Sequence, residues 1–304
     1  MTGDAAESGD RVDFGGDVVL VTGAGSGLGR AYSRLLAARG ARVVVNDLGT
    51  GPDGRGRDGS VAEQVVDEIV AAGGEAAADG HSVADPEGAE GAVQTAIERY
   101  GRLDAVVNNA GIVRYGGFHR MRHDDVEAVL DVHLGGSALV TRASWPHLAA
   151  GGHGRVVLTS SSIGLLGTPG QAAYGAAKSA LAGMTRALAA AGAGRGIRVN
   201  ALAPMAVTRL NEEVMAEMFG AESRRLTPEL VAPVAAYLAH RDCRLNGEVL
   251  SAAAGRVARF ALGHSVAGEW LHTPEQVGEA LEAGADRPLR WWSDPAEEEV
   301  CGVR

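Results

Sequence analysis

Four short valine-rich runs constrain this 304-residue chain more than any other feature: residues 18–22 (VVLVT), 42–46 (RVVVN), 104–108 (DAVVN) and 155–159 (RVVLT). Each is short for a helix and carries apolar side chains at odd and even positions alike, the pattern of a strand buried on both faces. Longer segments with apolar residues at helical spacing follow the runs. They predict helices over 27–39, 60–72, 86–100, 123–150, 172–191, 227–240 and 274–283. Thr227-Pro228 and Thr273-Pro274 read as an N-cap followed by a first-turn proline. A weaker strand at 75–79 and later ones near 197–202 and 248–251 complete the pattern. Strands buried on both faces need helices above and below them. The expected fold is therefore α/β: a single domain built on a doubly wound parallel sheet of about seven strands. Residues 1–14 are expected to form a flexible tail, 15–263 the domain, and 264–304 a C-terminal extension.

A 46% hydrophobic content is enough for a substantial core. The 44 glycines follow no fixed period, which points to turns and close helix–strand packing. The formal charge of −10, with no dense Lys/Arg patch, speaks against a nucleic-acid partner. Cys243 and Cys301 are the only cysteines, which suits reduced thiols and predicts neither a disulfide nor a metal site. No apolar stretch reaches the length of about 18 residues that a spanning helix needs, so no membrane partner is expected.

The first strand runs into a helix through Thr22-Gly23-Ala24-Gly25-Ser26-Gly27-Leu28-Gly29. Glycines at 23, 27 and 29 permit a tight turn and let backbone N–H groups at a helix start approach a pyrophosphate, where the helix dipole also favours negative charge. Asp47 ends the second strand. A carboxylate there accepts hydrogen bonds from ribose hydroxyls and repels a 2′-phosphate, so NAD is expected over NADP. Arg30, Arg55 and Arg57 are the residues that would reverse this preference by folding over the ribose. Asn108-Asn109-Ala110-Gly111 follows the strand at 104–108 and offers small and amide-bearing residues where riboses would pass.

Tyr174 and Lys178 stand four residues apart, on one face of the helix at 172–191, with Ser161 just past the preceding strand. An ammonium near the phenol would lower its pKa from about 10 and let it exchange a proton with a substrate oxygen. Ser161 would hydrogen-bond the same oxygen. These groups together predict hydride exchange between a nicotinamide and a small-molecule carbonyl or alcohol.

In order and spacing, the glycine turn, the Asn108–Gly111 segment and the Ser161, Tyr174, Lys178 set resemble those of the short-chain dehydrogenase/reductase family over roughly residues 15–255. The resemblance implies a Rossmann-type sheet and a homodimer or homotetramer built partly on helices 123–150 and 172–191. It implies cofactor contacts at Thr22, Gly23, Ser26, Gly27, Leu28, Gly29, Asp47, Leu48, Ser82, Val83, Asn109, Ala110, Gly111, Tyr174, Lys178, Pro204 and Thr208. A narrower resemblance, to the (3R)-hydroxyacyl-CoA dehydrogenase domains of peroxisomal multifunctional enzymes of type 2, rests on four stretches. These are Val43–Gly49, Val132–Ser137, Gly170–Tyr174 and Leu230–Pro233. It implies NAD and a 3-hydroxyacyl thioester or a bulky hydroxylated substrate such as a steroid.

Departures from the wider family are informative. His133 stands where most members carry a catalytic asparagine, as it does in the narrower group, and an imidazole either relays protons or is a structural, hydrogen-bonded group. Met205 replaces a glycine after Pro204. His81-Ser82 takes the place of an Asp-Val pair that commonly meets adenine. Residues 205–226 are expected to form a lid lined by Met205, Leu210, Met215, Met218 and Phe219, with Arg209, Arg224 and Arg225 available to anionic groups. Trp291-Trp292 are expected to pack against a neighbouring subunit. Two alternatives stand beside the leading reading: a ketoreductase tailoring a polyketide or other secondary metabolite, and a catalytically silent cofactor-binding subunit. Gly302-Val303-Arg304 is not a peroxisomal address, so the expected location is cytoplasmic.

Overall fold

The computed structural model describes residues 12–264, 273–283 and 290–291. Strands β1 (Val18–Thr22), β2 (Arg42–Asn46), β3 (Glu75–Asp79), β4 (Ala105–Asn108), β5 (Arg155–Thr159), β6 (Arg198–Met205) and β7 (Val249–Ala253) pair in parallel. With β8 (Arg256–Phe260) at the edge, the sheet runs β3-β2-β1-β4-β5-β6-β7-β8. The register sets Val21 against Val45 on one side and Val107 on the other, which gathers the valine runs at the centre.

Helices α1 (Gly27–Ala38), α2 (Ser60–Ala71) and α9 (Ala232–Ala239) pack together. So do α3 (Pro86–Tyr100) with α5 (Gly136–Gly151), and α4 (His123–Leu130) with α7 (Ala172–Gly192). Tyr32, Leu36, Val65, Ile69 and Leu238 bury themselves against Val19, Val21, Val43 and Val45 to make the larger core. The chain departs from β1 towards β2 and β3 and later returns to its other side as β4. That reversal opens a crevice at the carboxyl ends of the strands, where ligands of such sheets bind.

The expected fold class holds, with local differences. The sheet has an eighth strand, β8, reached from β7 through Ala254-Gly255, both at positive φ (47° and 76°) as a tight hairpin turn requires. Val257 is 54% exposed and β8 is exposed over most of its length, so it carries no alternating apolar signal. The helix expected over 123–150 is α4 and α5 joined by a π-helical turn at Asp131–Gly135. The extra backbone residue seats His133 in the interior, and Gly136 then lies so close to Val83 that a Cβ would come within 2.8 Å of it. A short helix, α6 (Ser162–Leu166), follows Ser161 where only a loop was expected. The helix expected over 227–240 opens as a 3₁₀ turn, Pro228–Leu230, ahead of α9.

Phe14, expected in the tail, is fully buried and its N–H bonds the Arg39 carbonyl, while residues 1–11 lie outside the described residues. Two compact units divide at Ala258 and Arg259 rather than at 263. Within the second, β9 (Gly263–His264) pairs antiparallel with β10 (Arg290–Trp291), and α10 (Pro274–Ala283) is the expected helix. Trp292, Cys301 and the Trp291 side chain lie outside what is described.

Candidate active site

The turn between β1 and α1 is locked against the exit of β4. Thr22 Oγ1 accepts the N–H groups of Asn109 and Ala110 at 3.0 and 3.1 Å. Asn109 Nδ2 donates back to the carbonyls of Thr22 and Gly23. Gly23 sits at φ 62°, and a Cβ there would lie 2.7 Å from the Ala110 backbone. A Cβ on Gly29 would fall 2.2 Å from the Gly23 carbonyl, so the helix enters closer to the turn than any side chain allows. Ser26 occupies the N-cap position of α1 without a side-chain capping bond, which leaves first-turn N–H groups facing the crevice.

Asp47 binds both neighbours of this turn. Its Oδ2 accepts the Gly25 N–H at 2.7 Å and its Oδ1 the Gly49 N–H at 2.7 Å. Behind it, Asn46 Nδ2 donates to Asp79 and to the His81 carbonyl, while His81 Nδ1 lies 2.7 Å from Asp79. This network presents His81, Ser82 and Val83 to the same crevice. None of the three arginines that could have met a 2′-phosphate lines the crevice. Arg30 pairs with Glu68, Arg55 with Asp53, and Arg57 donates to the Gly80 carbonyl.

One cavity of about 630 Å³ takes in nearly every residue expected at the site. Gly23, Ser26, Gly27, Leu28, Asp47, Leu48, Ser82, Val83, Asn109, Ala110, Gly111, His133, Ser161, Tyr174, Lys178, Pro204 and Thr208 all line it. Thr22 and Gly29 stand behind its wall, where they hold the turn. Thr208 comes up against Gly27, where a Cβ would lie 3.1 Å away. All five expected lid residues (Met205, Leu210, Met215, Met218, Phe219) line the cavity as well. Arg225 pairs with Glu222, whereas Arg209 reaches the Thr50 carbonyl.

The uncapped amides of α1 and the cradle formed by Gly23, Gly25 and Gly29 fit a nicotinamide dinucleotide laid across the carboxyl ends of β1 and β4.

The reacting end departs from expectation in its electrostatics. Lys178 is buried, and its Nζ donates to the Thr159 carbonyl at 2.5 Å. Burial pulls its pKa from 10.5 to about 7. The ammonium stands over the Tyr174 ring, 5.6 Å from its centroid. The Tyr174 phenol is raised above 10.0, not lowered: burial raises it, a hydrogen bond with Ser161 works against that, and Tyr115 adds to the rise. The expected lowering by Lys178 is outweighed by burial, and the ammonium donates to the Thr159 carbonyl rather than to the phenol.

His133 fills the space beneath Gly111, where a Cβ would fall 2.4 Å from its Cε1. Its ring meets the Tyr174 ring edge-on at 5.1 Å. Burial, then the Lys178 charge, drives its pKa from 6.5 to about 3, against a smaller opposing effect of the Ile112 backbone. The imidazole is neutral across the physiological range.

Thr50, Gly51, Gly54, Tyr115 and Leu166 also line the cavity and were not expected there. The first three belong to a glycine-rich stretch, residues 49–59 (GTGPDGRGRDG). Among the described residues, Asp17, Asp104 and His153 approach one another as metal ligands do, but Arg241 and Arg102 already engage the two carboxylates. Nor does any helix among the described residues have the length and apolarity to cross a membrane.

A crevice at the sheet reversal, a glycine turn held against β4 and a Ser-Tyr-Lys set at its end define a nicotinamide-binding oxidoreductase. The sequence profile of the short chain dehydrogenase family matches residues 17–218, and the chain belongs to that family. A putative short-chain type dehydrogenase/reductase of Mycobacterium tuberculosis is 47% identical over 245 residues, 81% of this chain and 85% of the relative. The peroxisomal multifunctional enzyme type 2 of Drosophila melanogaster is 42% identical over 93% of this chain, which spans 45% of that enzyme's length. A crystal structure of a short chain dehydrogenase from Mycobacterium avium superposes with a TM-score of 0.75 at 41% identity, covering 88% of this chain and 94% of that one.

Proposed function

We propose that the protein interconverts a secondary alcohol and a ketone with NAD as hydride carrier, on a 3-hydroxyacyl thioester or a comparably bulky apolar substrate. The observation that carries this reading is a single cavity. The glycine turn, Asp47 and the apolar lid residues all line it, together with Ser161, Tyr174 and Lys178. When bound, the nicotinamide supplies the group that exchanges a hydride with the substrate carbon.

The remaining steps belong to the chain. In reduction the Tyr174 phenol, kept protonated by burial, gives its proton to the substrate oxygen, and Ser161 steadies that oxygen by a hydrogen bond. Oxidation reverses this transfer: the phenol must first release its own proton to solvent, which burial opposes, before its oxygen takes the hydroxyl proton. Lys178, which lines the same cavity, would hold the cofactor ribose. His133, neutral and bonded to Ile112, holds the wall behind Tyr174 and is not a charge carrier.

Asp47 favours NAD because its oxygens are already directed to the turn and would repel a 2′-phosphate, while Arg30, Arg55 and Arg57 have other partners. The narrower resemblance supports the thioester, and the methionine-rich lid supports an apolar substrate. On this reading the protein is a cytoplasmic homodimer or homotetramer. The small residues along α7 allow close helix approach, and Cys243 is a buried free thiol.

Turnover of acetoacetyl-CoA, a steroid ketone and a simple diketone, each with NADH and with NADPH, tests the substrate and the cofactor. Lack of turnover on the thioester would overturn the substrate assignment. Tyr174→Phe is expected to abolish turnover while NADH still binds, and Ser161→Ala to lower kcat about 100-fold. Activity retained in Tyr174→Phe would overturn the chemistry.

A further inference from the structure

Residues 48–58, between β2 and α2, take no part in the proton and hydride steps above, yet they reach from the exit of β2 to Val113 and are held from the lid by Arg209. The segment starts at Asp47, whose carboxylate holds the Gly49 N–H. It folds on itself through Gly51 N–H to the Arg55 carbonyl and Gly54 N–H to the Gly51 carbonyl, and returns where Asp58 N–H meets the Leu48 carbonyl. At its far reach the Pro52 carbonyl accepts the Val113 N–H at 3.1 Å, beyond the exit of β4. Gly54, at φ 75°, lies against Ile112, and a Cβ there would come within 2.9 Å of that side chain. From the opposite wall, Arg209 at the base of the lid donates from Nη2 to the Thr50 carbonyl at 3.1 Å. Thr50, Gly51 and Gly54 line the cavity from this side.

A loop tied at the exits of β2 and β4 and at the lid spans the crevice in which the dinucleotide is proposed to lie. We propose that residues 48–58 are a strap that closes over the bound cofactor. Arg209 is then a positioning residue which, by holding Thr50 from the lid, sets how fast the cofactor leaves. The inference rests on the cofactor reading given above. The strap buries little apolar surface of its own and hangs on a few exposed hydrogen bonds, so it belongs to the part of the structure that opens at low free energy. Release of the dinucleotide requires the Arg209–Thr50 and Val113–Pro52 bonds to part. Because one of them lies on the lid, lid closure over substrate and retention of cofactor are linked.

The test is NADH release from the full chain, followed by stopped-flow fluorescence as excess NAD chases a preformed NADH complex. Arg209→Ala is expected to release NADH about tenfold faster than the unaltered protein, with an unchanged melting temperature because the side chain is exposed. Arg209→Lys should fall between the two. Gly54→Val strikes the opposite tie, through its positive φ and its contact with Ile112, and should also speed release. Release at the unaltered rate in Arg209→Ala would overturn the role of Arg209, and the same result in Gly54→Val would overturn the strap. Failure of the unaltered protein to bind NADH would overturn the cofactor reading, and the strap with it.

Discussion

His133 and Ile112 meet through a single ring nitrogen: Nε2 lies 2.8 Å from the Ile112 carbonyl oxygen and 3.2 Å from its amide nitrogen. One nitrogen cannot donate to the first and accept from the second at once, and the buried Nδ1 has no partner among the described residues. An amide carries both a donor and an acceptor. The imidazole is also a liability in acid. Its folded pKa of about 3 lies below the unfolded value near 6.5, so the unfolded chain takes up a proton first as pH falls. Stability is therefore lost between those values, at up to about 1.4 kcal/mol per pH unit. His133→Asn is expected to flatten this loss, measured by urea melts between pH 4 and 7, and to retain turnover. An unchanged acid slope would show that the imidazole is not the group responsible.

Lys178 follows the same logic at a higher pH. Its folded pKa of about 7 lies below the ordinary 10.5, so between these values the unfolded chain holds the extra proton and stability rises with pH. At neutral pH the buried ammonium works against the fold. Lys178→Met should abolish turnover yet raise the melting temperature at pH 7, and the gain should shrink as the pH approaches 10.5. A lower melting temperature at pH 7 would mean that the bond to the Thr159 carbonyl outweighs desolvation.

The central strands were legible because burial on both faces leaves an uninterrupted apolar run, as in Val18–Thr22 and Arg155–Thr159. Ser161, Tyr174, Lys178 and the glycine turn were legible for a different reason: their chemistry needs fixed local spacing. β8 was not legible, since an exposed strand at a sheet edge has no face to mark with apolar residues. The π-helical turn at Asp131–Gly135 turns His133 to Ile112, 21 residues away in sequence, and helical periodicity runs through it unmarked. The direction of the Tyr174 shift was misjudged because i,i+4 spacing places two side chains on one face but does not say where an ammonium points. The strap showed only as a run of glycines; its ties to Val113 and Arg209 are contacts between distant segments.

Tyr32 offers a test away from the site. Its ring is buried between α1 and the sheet, its hydroxyl has no hydrogen-bond partner among the described residues, and burial drives its pKa far above the ordinary value. A buried unpaired hydroxyl lacks the water it would have in the unfolded chain. Tyr32→Phe removes that group and is expected to stabilise the protein by about 1 kcal/mol, read from denaturant midpoints at constant m-value. A loss of that size would show that the hydroxyl has a partner in solution.

Asp47 joins the glycine turn to the strap, since its two oxygens hold Gly25 on one side and Gly49 on the other. Replacing it therefore does more than remove a negative charge from the ribose pocket. Asp47→Ala should reduce the preference for NADH over NADPH about tenfold by ending the repulsion of a 2′-phosphate. It should also weaken binding of both, because the N–H groups of Gly25 and Gly49 lose their common acceptor. Asp47→Asn can keep only one of these bonds, as its Nδ2 donates where an acceptor is needed. It should relax selectivity to a similar degree but lose less affinity than Asp47→Ala. Fluorescence titration of the three proteins with both dinucleotides separates the two effects. Unchanged selectivity in both variants would place the reading of the ribose on another residue.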